Sequence, residues 1–154
     1  MIMQLTPHFG YNSKYDTIKC PCEECKDDKI VRINPAILWV AEMIRAILNS
    51  RCSMKDKILL KVNSGSRCVK HHIDIYKKMR FPRNKIPLNS SHIFWASTEA
   101  LTTALDITPI SETGKASTEQ LLDEVEGMMD KDWPGGFHRY EAFFHMDLGK
   151  MRRW

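Results

Sequence analysis

The sequence predicts an α+β fold: one domain over residues 1–154, with a small, mostly antiparallel sheet flanked by helices. Three observations carry that prediction. Ile37, Leu38, Ala41, Ile44 and Leu48 recur at helical spacing, the mark of a helix laid on a core. Residues 57–63 and 142–148 alternate with period two, the mark of strands buried on one face. The 154 residues contain no repeat, low-complexity tract or linker, and that length suits one compact core.

Taken in order, residues 5–28 look irregular, because Pro7, Gly10, Asn12 and a run of cysteines interrupt any period. Asn34-Pro35 then opens the main core helix, with Asn as N-cap and Pro at the first helical position. It should end near Asn49-Ser50, with Glu42 and Arg45 off its apolar stripe. Residues 57–63 form a strand that runs into the turn Ser64-Gly65-Ser66-Arg67-Cys68, a place where functional side chains often stand. His71 to Arg80 is weakly helical, and Phe81 to Ser91 is a loop leading to His92. Ser97 to Leu105 is expected to be helical, capped by Ser97 with Glu99 in its first turn. Pro109 to Thr113 is expected to be a connection. Ser117 followed by Gln120 is a capping box for another helix through about Met129. Trp133-Pro134-Gly135-Gly136 breaks that helix before a final strand, Ala142 to Leu148.

Composition removes several classes of function. No apolar run approaches the roughly 18 residues of a membrane span. The net charge of +4 comes without a clustered basic stripe, so nucleic-acid binding has no support beyond charge. The N-terminus lacks the pattern of a cleaved signal peptide, so the expectation is synthesis in the cytoplasm. Five cysteines cannot all pair within one chain, and three of them lie in Cys20-Pro21-Cys22-Glu23-Glu24-Cys25. They are either reduced thiols or three ligands of a structural zinc completed by Cys52, Cys68 or a histidine.

On the last strand His145 and Asp147 share one face, while Phe144, Met146 and Leu148 share the other. A His and a carboxylate on the same side of an apolar strand are costly to bury without a partner, and a cation is such a partner. His92 and Asp106 are the residues able to complete a site with His145. Two His and one Asp give zinc three ligands and leave a fourth position open for water. Spacings of 14 and 39 residues do not by themselves show that the three meet.

Leu5-Thr6-Pro7-His8-Phe9, Ile33-Asn34-Pro35, Asn63-Ser64-Gly65-Ser66-Arg67-Cys68, Ser91-His92, Ala104-Leu105-Asp106-Ile107 and Phe144-His145-Met146-Asp147 succeed one another along nearly the whole chain. This series resembles metallopeptidase family fifteen, the zinc D-alanyl-D-alanine carboxypeptidases and murein endopeptidases that include many phage endolysins. The similarity is greatest to the small single-domain members. The resemblance implies a hedgehog/D-Ala-D-Ala-peptidase-like fold with zinc held by His92, Asp106 and His145. It implies that Arg67 and Ser91 bind the substrate, Arg67 at its carbonyl or carboxylate. It further implies hydrolysis of peptidoglycan stem peptides, with action on the cell wall after phage lysis, virion delivery or non-classical export.

Two features depart from that pattern. Relatives separate the first His and the Asp by six residues, whereas thirteen intervene here. Several relatives also carry an acidic residue where this chain has Ala142. The expected general base is therefore Asp147, ahead of His138 and Glu141, with a purely orienting hydrogen bond as the other reading of Asp147. A non-catalytic wall-binding or virion module keeping the same fold is the alternative function. His8, His71 and His72 read as surface or capping residues.

Overall fold

In a computed structural model of the protein, residues 5–9, 18–25, 32–52, 56–95 and 100–153 are described. Helix α1 spans Pro35–Arg51 and starts where expected: Asn34 accepts the Ala36 N–H on its side chain at 3.0 Å. Strand β1 is Ile58–Ser64. Helix α2, Val69–Lys78, has Cys68 as N-cap, its sulfur accepting the His71 N–H. Strand β2 is Ala104–Ser111. Helix α3, Thr118–Asp132, carries the full capping box, Ser117 and Gln120 each accepting the other's backbone N–H. Strands β3 (Gly136–Arg139), β4 (Phe144–Asp147) and β5 (Arg152–Arg153) complete the chain.

The five strands form one sheet in the order β1-β2-β4-β3-β5. All pairings are antiparallel except β3 with β5, so the sheet is mixed. One face is apolar. Ile58, Leu60, Val62, Leu105, Ile107, Phe137, Phe144 and Met146 meet Ile37, Leu38, Ala41, Ile44 and Leu48 of α1 and Leu121, Leu122, Val125 and Met129 of α3. Each such buried side chain contributes roughly 1.5–3 kcal/mol of transfer free energy. Replacing Leu38, which is wholly buried, by alanine should cost about 2–5 kcal/mol. Alternation then sends Asp106, His145 and Asp147 to the opposite face.

Three expectations are corrected. Residues 104 and 105, expected to be helical, begin β2; Leu101 to Thr103 are not helical, and Ser97 and Glu99 lie outside the described residues. Helix propensity is a local preference, and pairing with strands on both sides overrides it. Pro109 is no connection but lies in β2 opposite Leu60. Pairing of β2 with β4 ends at Ile107, so Pro109, which has no N–H to donate, stands where β2 has a neighbour on one side only. The last strand is shorter than expected, at four residues, and pairs with the unexpected β3 and through it β5. Glu42 lies off the apolar stripe of α1. It is buried and accepts hydrogen bonds from Thr6 Oγ1 and the His8 N–H, both at 2.7 Å, tying the N-terminal segment to α1.

Candidate metal centre

Strand register does most of the assembly. Asp106 on β2 is the cross-strand partner of His145 on β4. Directly opposed residues in an antiparallel pair have Cβ atoms about 4.5–5.5 Å apart, so these two side chains must meet. On the other side of β2, Ser64 is opposite Asp106 because Asn63 is an extra residue that shifts the register of β1. Such a bulge bends the strand and redirects the residues beyond it. The chain after Ser64 therefore turns over the site and delivers Arg67.

His92 comes from the loop before β2, and Arg67 holds it there. The Arg67 N–H donates to the His92 carbonyl at 2.8 Å, and Thr102 Oγ1 donates to the same carbonyl at 3.1 Å. Just before β2 begins, Thr102 forms a parallel bridge with Ile33. Thirteen residues intervene between His92 and Asp106, yet their side chains meet.

The three ligand atoms are close. His92 Nε2 is 3.2 Å from Asp106 Oδ1 and 3.2 Å from His145 Nδ1, and His145 Nδ1 is 2.9 Å from Asp106 Oδ1. Donors around a tetrahedral zinc at 2.0–2.1 Å lie about 3.3 Å apart. The tautomers agree with that use. His92 Nδ1 must carry hydrogen to donate to the Gly65 carbonyl at 2.9 Å, and His145 Nε2 must carry hydrogen to donate to the Asp147 carboxylate at 3.1 Å. Two imidazole lone pairs and a carboxylate oxygen then point at one another. That donor set fits a divalent cation.

The electrostatics point the same way. Burial pushes the Asp106 carboxyl up, but the adjoining His92 and His145 rings outweigh it and hold the pKa far below the usual carboxylate range. For His145, burial disfavours the imidazolium, yet the hydrogen bonds to Asp106 and Asp147 win and raise its pKa. The arrangement favours positive charge at its centre, carried by a cation or, without one, by a proton on His145.

Arg67 donates from Nη2 to Asp106 Oδ2 at 2.9 Å and from Nε to Ser64 Oγ at 2.7 Å. It lines a cavity of about 280 Å³ together with Pro21, Ser64, His71, Asp106 and Phe143. That is near the lower end for small-ligand pockets, roughly 300 Å³. Ser91 lies in the turn before His92, where its carbonyl accepts the Thr103 N–H at 3.0 Å.

Asp147 lies behind His145. Its side chain is fully buried, Oδ1 accepting the Gly149 N–H at 2.7 Å and Oδ2 accepting from Arg152 Nη2 at 2.6 Å as well as from His145. Gly136 faces it across β3, and a Cβ there would collide with the carboxylate. Burial raises the Asp147 pKa, but His145, the Gly149 N–H and Arg152 bring it down to about 2. A carboxylate so engaged and so acidic is a poor proton acceptor near pH 7. The hydrogen bond from His145 Nε2 places Asp147 to orient that ring. Glu141 is exposed in the turn between β3 and β4, whereas His138 is the cross-strand partner of His145. Burial, with His145 adding to it, lowers the His138 pKa, so its ring is neutral and able to accept a proton at pH 7.

Sequence reasoning missed the Arg152–Asp147 ion pair and the Gly65 carbonyl that orients His92. Neither has a sequence signal, since one partner is an arginine in an exposed two-residue strand and the other a backbone atom. Compared with known protein families, with curated proteins and with solved structures, the chain matches none.

Proposed function

We propose that the protein is a zinc-dependent peptidase that hydrolyses peptide bonds of peptidoglycan stem peptides. The convergence of His92 Nε2, Asp106 Oδ1 and His145 Nδ1 beside a cavity carrying Arg67 is the observation that supports this reading. The series of short motifs resembling metallopeptidase family fifteen supplies the substrate class, together with a hedgehog/D-Ala-D-Ala-peptidase-like arrangement of sheet and cleft. On that reading the protein acts on the cell wall after its release from the cell.

Zinc held by His92, Asp106 and His145 would supply Lewis acidity for a carbonyl and a bound water. The chain's own groups do the rest. Asp106 and the two oriented imidazoles hold the ion, and Asp147 fixes the His145 tautomer so that Nδ1 faces it. Arg67 offers its guanidinium to a substrate carboxylate or to the oxygen that gains charge during attack. His138, on the neighbouring strand, takes the proton of the attacking water and returns it to the leaving amine.

The test is amine release from purified stem peptides by the zinc-loaded protein. Hydrolysis that disappears in His145→Ala supports the proposal. Zinc-loaded protein that sediments with cell walls but releases no amine, with His145→Ala behaving identically, replaces it with the non-catalytic wall-binding module.

A further inference from the structure

A second cluster of ligating side chains stands apart from the His/Asp/His group. The sulfurs of Cys20, Cys22, Cys25 and Cys68 all lie within 4.8 Å of one another. Cys22 Sγ is 3.6 Å from both Cys20 Sγ and Cys68 Sγ. A disulfide needs about 2.05 Å, and all four thiols are free. Sulfurs around a tetrahedral zinc, with Zn–S near 2.3 Å, are about 3.8 Å apart. The observed spacing is that of four ligands sharing one ion.

We propose that Cys20, Cys22, Cys25 and Cys68 form a closed tetrathiolate zinc site that fastens residues 18–25 to the loop carrying Arg67. The local backbone is shaped for it. Cys22-Glu23-Glu24-Cys25 is a two-residue-spaced pair whose turn is closed by the Cys25 N–H donating to the Cys22 carbonyl at 3.0 Å. Backbone N–H groups point at the sulfurs: Cys68 N–H at Cys20 Sγ, 3.4 Å, and His71 N–H at Cys68 Sγ, 3.3 Å. Cys68 is also the N-cap of α2, where the helix dipole favours a negative thiolate. Only Cys20 is fully buried, so the other three do not owe their place to hydrophobic packing.

Four sulfur ligands leave no position for water, so the site is structural. Filling it releases up to four thiol protons to solvent as the zinc–sulfur bonds form. It holds in place one side of the candidate cleft. Pro21, between two of the ligands, lines the same cavity as Arg67, the residue before Cys68. The contact is tight along the whole seam. Ser66 N–H donates to the Ile18 carbonyl at 2.8 Å, and a Cβ on Gly65 would stand 2.7 Å from that oxygen.

This inference is independent of the peptidase reading, and the measurements separate them. Zinc is counted in the full chain, in a His92→Ala/His145→Ala variant and in a Cys22→Ser/Cys25→Ser variant. The expected counts are two, one and one. The His variant, all cysteines intact, is then loaded with cobalt(II), and an intense thiolate-to-cobalt charge-transfer band is expected. Thiol titration of the folded, zinc-loaded protein should find Cys52 alone reactive, with five thiols reacting after unfolding in chelator. One zinc in the wild type accompanied by the thiolate band upholds this site while removing the catalytic one. Absence of the band, prompt modification of all five thiols, a disulfide among the four, or iron in place of zinc overturns it.

Discussion

The two clusters of metal-ligating side chains are built in opposite ways. His92, Asp106 and His145 rest on the sheet, where cross-strand register sets two of the three and a hydrogen-bonded loop sets the third. Each imidazole has its far nitrogen engaged, by the Gly65 carbonyl or by Asp147, so that the near one presents a lone pair. Cys20, Cys22, Cys25 and Cys68 come from a turn and a helix N-cap, with no strand among them. The first cluster borders a cavity; the second uses all its ligands on itself. The contrast teaches a division of labour. On the two proposals, an open coordination position is set on rigid elements and a closed site falls where irregular chain needs fastening.

Changes at the sheet cluster should be larger and more specific than any elsewhere. Asp106→Ala removes the carboxylate between two histidines and Arg67, and it should reduce stem-peptide hydrolysis to background and lower the zinc content by one per chain. Breaking so buried an ion pair should also cost the metal-free fold roughly 3–5 kcal/mol, read from denaturant unfolding. Full zinc content in that variant would dissolve the distinction drawn between the clusters. Arg67→Lys keeps the charge but loses the planar fork that reaches both Ser64 and Asp106. It should retain zinc while kcat/KM falls by about 10²-fold. Asp147→Asn should weaken zinc binding at the sheet site by about 10–100-fold in a competition titration, leaving the thiolate site unchanged.

A smaller effect comes from His72, wholly buried on α2, donating from Nε2 to the Pro87 carbonyl at 3.0 Å. Burial, with Arg67 adding to it, lowers its pKa from 6.5 to about 4. Between those values the unfolded chain binds a proton that the native ring refuses, so stability rises with pH from about 4 to 6.5 and is full above that. The difference in unfolding free energy between wild type and His72→Phe, tracked through that window in metal-free protein, should carry this slope. Last, Cys52→Ser should change stability by no more than about 1 kcal/mol and alter neither zinc count, because Cys52 stands outside the thiol cluster. Loss of a zinc on that substitution would show that the cluster has been drawn with the wrong fourth ligand.

Local signals were legible where one residue and its near neighbours decide the outcome. Asn34-Pro35 starts α1 and the Ser117/Gln120 box starts α3, since a cap is satisfied within four residues. The alternation of 57–63 gave a strand one residue early at its start. β2 alternates apolar and polar through Leu105, Asp106, Ile107 and Thr108, but the Ser97 N-cap signal upstream favours helix over its first residues. The Cys20/Cys22/Cys25 run left reduced thiols and a structural zinc both open, with Cys52, Cys68 or a histidine as the fourth ligand of the latter. Asp147 was marked as functional, yet its partners Gly149 and Arg152 lie in chain that carries no pattern.

The sequence by itself determined the helices that cap themselves, the apolar stripes that fill the core, and the kinds of atom available to hold a metal. Only the tertiary structure decided that three candidate ligands 14 and 39 residues apart meet, that Cys68 joins the thiol cluster, and that Asp147 hydrogen-bonds a histidine. The physical reason is range. Caps and stripes are settled within a few residues, whereas strand register and burial depend on segments that meet only when the whole chain has folded.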